Sequence, residues 1–424
     1  MTDRKKKKIK TTKENRFLKT ELNISLSFFD KLIPWIILFI LSVISGFLLV
    51  LAFPDFGKYL YAFIALSPVL WLWGRSRFGK AFISGYIVAL IFYGVLFYWA
   101  IELGVHVWIA IILFQGVYLA IWAGIISWYS GGHGLGQNIK TMIFPLLSWI
   151  AIEWARTSGP LGLCWGSIGY SQSPNLPIIQ SASLFGYYWV ASLVLVFNII
   201  IAIYFDRVKK DMISSFGIDW KEIEHRGNFF LILRGLVAPF IPKTGRNAFP
   251  LLVLVYLIVL IFSLVFGFRQ LAQPPGEDGI KTALVQVNVG MYRPWNNNYL
   301  DKSKDNLYEL MDEAMSYSPE LVIFPETTLP TNLPVGDPLE KKFLDLARKN
   351  KIYLLFGIPR VIDHTYRNAA IFISPEGKII NEYHKLHLVP FGEYLPLEKY
   401  LRRFSVFDRV QDFTPGEEEV IFDY

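Results

Sequence analysis

Seven stretches of nearly unbroken apolar residues constrain this chain more than anything else in it. They are Ile33–Phe53, Tyr59–Trp73, Ala81–Ile101, Trp108–Tyr129, Met142–Trp154, Tyr187–Phe205 and Phe249–Phe268. A bilayer crossing takes about 20 apolar residues, and most of the seven approach that length. Tyr59–Trp73 and Met142–Trp154 fall short, which implies tilt or distortion. No soluble core needs so many helices that are apolar all round. With 53% hydrophobic residues in 424, the chain reads as an integral membrane protein rather than a soluble domain. The first run starts near Ile33, far from a basic head, and is long enough to span, so a retained span is expected rather than a cleaved signal peptide.

The charge pattern orients these spans. The net charge of +7 is no nucleic-acid signal, because much of it sits in the head Arg4–Lys10 and in one internal connection. Arg75, Arg77 and Lys80 follow the second apolar run, and Lys140 follows the fourth. Arg207, Lys209, Lys210, Lys221, Arg226, Arg234, Lys243 and Arg246 follow the sixth. The alternate connections Pro54–Lys58, Glu102–Val107 and Ala155–Gly186 are poor in Lys and Arg. The positive-inside rule then puts the head inside and, after seven crossings, everything beyond Arg269 outside. Ala155–Gly186 is rich in Gly, Pro and Ser with interleaved aromatics and reads as a partly embedded loop. Glu153 and Arg156, three apart on the preceding helix, can form a helix-end ion pair or touch a substrate.

After Gly276-Glu277-Asp278-Gly279 the pattern turns soluble. Strands are expected at Thr282–Val289, Leu321–Phe324 and Ile352–Ile358, and helices at Leu300–Tyr317 and Pro338–Asn350. A hairpin, Ala369–Ser374 with Lys378–Tyr383, turns on Pro375-Glu376-Gly377. This alternation argues for an α/β domain. Three units result: a basic tail over 1–32, a seven-helix bundle over 33–270 and an α/β domain over 280–424.

The chemistry concentrates in that last unit. Leu321-Val322-Ile323-Phe324 ends at Pro325, and Glu326 follows at once, at the carboxyl end of a buried strand where α/β folds keep their sites. Desolvation there raises a carboxyl pKa toward that of a working base; the bland alternative is a solvated strand-end Glu. Lys385 follows another strand, and an ammonium fixed beside a carboxylate can stabilise an oxyanion. Glu393 follows Gly392 in a Pro-flanked loop. Val285-Gln286-Val287-Asn288, with Trp295 just beyond, completes the set. His384 and His387 match no metal spacing with a third ligand, so no metal is expected. The single cysteine, Cys164, excludes an intrachain disulfide framework.

These motifs resemble the nitrilase, or carbon–nitrogen hydrolase, superfamily. Within it they resemble the apolipoprotein N-acyltransferase family, from the first span to the end. The resemblance rests on PETT around Glu326, on YHKLHLVPFGEYLP around Lys385 and Glu393, and on VQVN with its following Trp. It also rests on FTPGEE at Phe413–Glu418 and on Ile168-Gly169-Tyr170-Ser171-Gln172. It implies an α-helical polytopic membrane bundle carrying an α/β nitrilase-like domain, an α-β-β-α sandwich. Glu326 is then the general base, Lys385 the stabiliser of the tetrahedral intermediate, Glu393 an additional essential carboxylate and Trp295 a substrate-loop aromatic. No cofactor is implied. The implied partners are a phospholipid acyl donor, a diacylated apolipoprotein acceptor and the bilayer, with the protein a monomer in the bacterial inner membrane and its catalytic domain periplasmic. The family's nucleophilic cysteine and last transmembrane helix come after the Phe413–Glu418 region, and the sequence shows neither. The chain therefore reads as C-terminally truncated, and inactive as written. Cys164, in a Gly-rich loop between spans, is no substitute. A membrane-tethered amidase and a non-enzymatic lipoprotein-binding member remain the competing readings.

Overall fold

The computed structural model describes residues 32–54, 56–135, 139–159, 161–216, 249–274, 279–288, 297–396, 398–403, 410 and 412–423. The basic head Arg4–Lys10, most of the cationic connection after residue 207, and Trp295 lie outside them. The chain divides into two compact units, residues 1–274 and 275–424.

The first unit is helical. Among the described residues, five of its helices are long and apolar enough to cross a membrane: α1 (Leu32–Ala52), α4 (Phe78–Leu96), α5 (Val105–Ser130), α9 (Tyr187–Phe216, apolar over Tyr187–Val208) and α10 (Phe249–Leu271). The two short runs differ from plain spans. Met142–Trp154 lies inside α6 (Ile139–Thr157), 19 residues interrupted by Pro145 and carrying Lys140, Glu153 and Arg156. Tyr59–Trp73 breaks into a 3-10 turn, α2 (Ala62–Ala65) and α3 (Ser67–Trp73).

The break has a partner. Asn198 on α9 is fully buried; its Oδ1 accepts from Leu66 N at 2.8 Å, and its Nδ2 donates to Ala62 O at 2.8 Å. One carboxamide thus satisfies the backbone groups that the interruption frees, the condition for broken helices away from water. The connection 155–186 is not a span. It holds a 3-10 turn at Ile168–Gln172 and two short helices, α7 (Leu176–Gln180) and α8 (Ala182–Phe185). Gly267 on α10 lets the Pro177 carbonyl lie directly against that helix, where any side chain would collide.

The second unit is built on a six-stranded mixed sheet. Its strands are β1 (Thr282–Leu284), β2 (Leu321–Ile323), β3 (Leu333–Pro334), β4 (Tyr353–Ile362), β5 (Thr365–Ile373) and β6 (Ile379–His384). β1, β2 and β4 run parallel, β3 adds to the end of β4, and β4–β5–β6 form an antiparallel meander. One face carries Leu354, Phe356, Ile358, Ala369, Ile371 and Ile373, all buried. It packs on Leu307, Met311 and Ala314 of α11 (Asn297–Ser316) and on Phe343 and Ala347 of α12 (Pro338–Asn350). The alternation of period two on the strands and of three to four on α11 produces this two-layer core.

The expected hairpin forms as β5 and β6, with β5 starting at Thr365 rather than Ala369, and β4 precedes it in a second hairpin that the sequence does not suggest. β4 and β5 join through Asp363-His364, both at positive φ (48° and 62°), a tight turn built without glycine. The expected strand Thr282–Val289 is paired only over Thr282–Leu284, although Val285 N still donates to Ile323 O at 2.9 Å. The described residues of this unit form one mixed sheet with α11 and α12 packed on it, the α/β domain that the sequence implies.

Candidate active site

The face of the sheet opposite α11 and α12 assembles the charged residues. Glu326 is fixed by β2 and by its neighbour β4. Phe324 N donates to Leu355 O at 2.8 Å, Gly357 N to Pro325 O at 3.2 Å and Thr328 N to Gly357 O at 2.9 Å. Gly357 is needed here for space rather than for an unusual φ. A Cβ at this position would run into the Glu326 backbone. Proline ends the strand, and glycine opposite admits the turn that turns the glutamate outward.

Lys385 stands at the end of β6. Its N–H donates to Asn368 O at 2.8 Å, continuing the β5–β6 ladder, and its carbonyl accepts from Gly416 N at 2.9 Å. Gly416 again gives close approach, since a side chain there would strike the His384 carbonyl. Glu393 sits in the turn after β6. Its backbone N–H donates to Val389 O at 2.9 Å, while its Oε2 accepts from Val389 N at 2.6 Å. Its carbonyl accepts from Phe413 N at 2.8 Å. The FTPGE segment therefore clamps the loop that carries both Lys385 and Glu393.

The side chains converge. Lys385 Nζ donates to Glu326 Oε1 at 2.7 Å and to Glu393 Oε1 at 3.2 Å. Asn368 Nδ2 lies 2.5 Å from the same oxygen of each glutamate. Two carboxylates and one ammonium thus share a node, with a carboxamide bridging the acids. Asn368 carried no signal in the sequence, because the expected strand began one residue later, at Ala369. Side-chain exposure falls from 61% at Glu326 through 25% at Lys385 to 13% at Glu393. Glu326 is the open end of the node and Glu393 its buried anchor.

The expected rise in the Glu326 pKa is corrected by the structure. Partial burial pushes it up, but the hydrogen bond and charge of Lys385, then the Asn368 hydrogen bond, outweigh burial and hold it below the ordinary glutamate value. Lys385 is the mirror case. Burial pulls it down, and the hydrogen bond and charge of Glu326, with Glu393 behind, hold it above the ordinary lysine value. Both groups are charged at neutral pH. A carboxylate ready to accept a proton therefore lies beside a fixed cation ready to receive a developing anion.

The remaining candidates fall elsewhere. His384 is 3.6 Å from Glu382, on the strand position before Lys385; its burial and then Arg367 depress its pKa. No group of metal-binding character exists among the described residues. Glu382 also pairs, with Glu340, to the buried Arg360, which ties β6 to the start of α12 through β4. Cys164 is exposed, in the helical unit. Glu153 and Arg156 form a buried ion pair at 2.9 Å. Arg156 also reaches Gln115 Oε1, Ser167 Oγ and the carbonyls of Leu163 and Trp165. With all its donors engaged it organises structure, and it offers none to a substrate.

Both units of the chain match known protein families. Residues 45–200 match the family model for the apolipoprotein N-acyltransferase N-terminal domain, and residues 281–419 match that for carbon-nitrogen hydrolases. The apolipoprotein N-acyltransferase of Geobacter metallireducens is 28% identical over 403 residues, 91% of this chain and 70% of the relative. That of Chlorobaculum tepidum is 23% identical, covering 91% of this chain and 71% of its own length. That of Methylococcus capsulatus is 27% identical, covering 89% and 69%. With an N-terminal membrane bundle and a carbon–nitrogen hydrolase domain in one chain, this multi-pass membrane protein belongs to the apolipoprotein N-acyltransferase family.

Proposed function

We propose that the protein serves N-acylation of the amino-terminal diacylglyceryl-cysteine of lipoproteins, with a phospholipid as acyl donor. The observation that supports this reading most is the shared node of Glu326, Lys385, Glu393 and Asn368. Glu326 takes the proton of a cysteine thiol, and the thiolate attacks the carbonyl carbon of a phospholipid ester. Lys385 turns its Nζ to the oxyanion that forms. The C–O bond breaks, the lysophospholipid leaves as its alcohol with the proton held by Glu326, and a thioester remains. The amine of the acceptor cysteine then attacks the thioester. Its proton passes to Glu326, the amide forms and the thiol is restored. Glu393, most buried of the three, keeps Lys385 in place through both halves.

Both substrates are bilayer-anchored, which is the physical reason for joining such a domain to a helical bundle. The Lys and Arg distribution supports an outward, periplasmic catalytic unit in a bacterial inner membrane. The 424 residues hold one thiol, Cys164, outside the unit that carries Glu326 and Lys385. In this reading Cys164, in a Gly-rich loop between spans, is not the nucleophile.

The test is acyl transfer from labelled phospholipid to a synthetic diacylated lipopeptide. It uses the protein expressed from its own gene, with any residues that gene encodes beyond Tyr424. Glu326→Gln and Lys385→Ala abolish transfer, and Cys164→Ser leaves it intact. Unchanged turnover in either of the first two removes the assignment, and loss in the third makes Cys164 the nucleophile. Release of ammonia from amides instead supports the amidase reading. Lipopeptide binding without any transfer supports a non-enzymatic binding protein.

A further inference from the structure

The buried Arg156 holds more than an ion pair. Through Leu163 O at 2.8 Å, Trp165 O at 3.0 Å and Ser167 Oγ at 2.7 Å it fixes the connection that follows α6. Tyr187 OH donates to Glu153 Oε1 at 3.1 Å, which ties α9 to the same point. Gly166, at φ +80°, presses that connection against Leu96 and Tyr93 of α4. The clamp displays Cys164 and Trp165 outward. Trp165 is 49% exposed and meets Trp99, 42% exposed, edge to face at 4.8 Å, with Tyr98 and Leu161 also exposed. A rigid pair of indoles loses little conformational freedom on binding.

The charge of this surface identifies its occupant. The two stretches that meet there, residues 97–104 and 157–170, contain no Lys or Arg. Arg156, beside them, is spent internally. A phosphodiester would find no counter-charge on these two stretches. The one formal charge on these stretches is Glu102, which is exposed. Indole faces and a carboxylate suit an ammonium beside an uncharged glyceryl diester.

We propose that the Trp99–Trp165 shelf docks the acceptor, an amino-terminal S-diacylglyceryl-cysteine with its free α-ammonium, rather than the phospholipid donor. This rests on the acyl-transfer reading above. The experiment measures binding to the full chain in phosphatidylcholine nanodiscs. The probe is a fluorescein-tagged peptide whose amino-terminal cysteine carries S-dipalmitoylglycerol.

Trp165→Ala and Trp99→Ala each weaken binding by about tenfold. Glu102→Gln weakens it for the free amine but not for the N-acetylated peptide. Trp128→Ala, an exposed tryptophan in the last turn of α5, changes nothing. All variants melt with the unmodified protein. Unchanged affinity in both Trp99→Ala and Trp165→Ala overturns the shelf and leaves acyl transfer standing. Displacement of the probe by phosphatidylglycerol as readily as by unlabelled peptide also overturns it. If the unmodified chain binds no lipopeptide, the acyl-transfer reading itself falls, and the shelf with it.

Discussion

Gly357→Ala is the perturbation that separates a built site from an incidental ion pair. The new Cβ would meet the backbone of Glu326 with nothing flexible to give way. β4 must therefore move off the turn, or the turn must move off β4. Overpacking of this kind costs about 1–3 kcal/mol. The two hydrogen bonds that tie the strands here, Gly357 N to Pro325 O and Thr328 N to Gly357 O, are the reporters. If that cost appears as local opening, amide exchange at residues 357 and 328 quickens by about fivefold to a hundredfold. Peptides from α11 exchange as before. Because Glu326 follows Pro325 directly, the same shift draws its carboxylate away from Lys385, and acyl transfer falls with it. Gly279→Ala is the control, since a Cβ there meets nothing. Hydrogen exchange resolved by mass spectrometry reads both variants. If Gly357→Ala exchanges and turns over like the unmodified protein, the argument that close backbone approach positions Glu326 is wrong.

Other outcomes follow from the same geometry. Asn368→Ala leaves both carboxylates held by Lys385 alone and lowers acyl transfer by about ten- to a hundredfold; an unaltered rate removes the bridging role. The depressed Glu326 pKa stabilises the fold above the ordinary glutamate value of about 4.3 and stops doing so as pH falls through the folded value. The raised Lys385 pKa stabilises it below about 10.4 and stops doing so as pH rises through the folded value. The urea-midpoint difference between the unmodified protein and Lys385→Met is therefore flat between these limits and shrinks outside them; a difference that grows toward acid contradicts the pairing. Arg156→Met strands the buried Glu153 carboxylate and costs about 3–5 kcal/mol. Adding Glu153→Leu recovers most of that, and a double variant no more stable in thermal unfolding than the single contradicts it.

The sequence carried the framework because its signals are local. Apolar runs of span length, the Pro325 stop before Glu326, and the strand-then-lysine order at Lys385 are each read within about 20 consecutive residues. What it hid is pairwise and distant. Asn368 joins Glu326 across 42 positions, and nothing at Asn368 announces a partner. The turn at Asp363-His364 has no local signal, because positive φ is usually marked by glycine. The interruption of Tyr59–Trp73 depends on Asn198 in another helix, so hydropathy alone cannot show it. The Glu326 pKa is hidden from the sequence for a related reason. Burial was legible at a strand end, but the ammonium that reverses its effect arrives from 59 positions away.

The most direct measurement is an infrared pH titration of the Glu326 carboxylate, identified by the band that vanishes in Glu326→Gln. A carboxylate held by Lys385 titrates below an ordinary glutamate, and its titration moves upward in Lys385→Met. A Glu326 that titrates at the ordinary value and ignores the loss of Lys385 would show that the two groups do not work together, and the acyl-transfer site would have to be sought elsewhere in the chain.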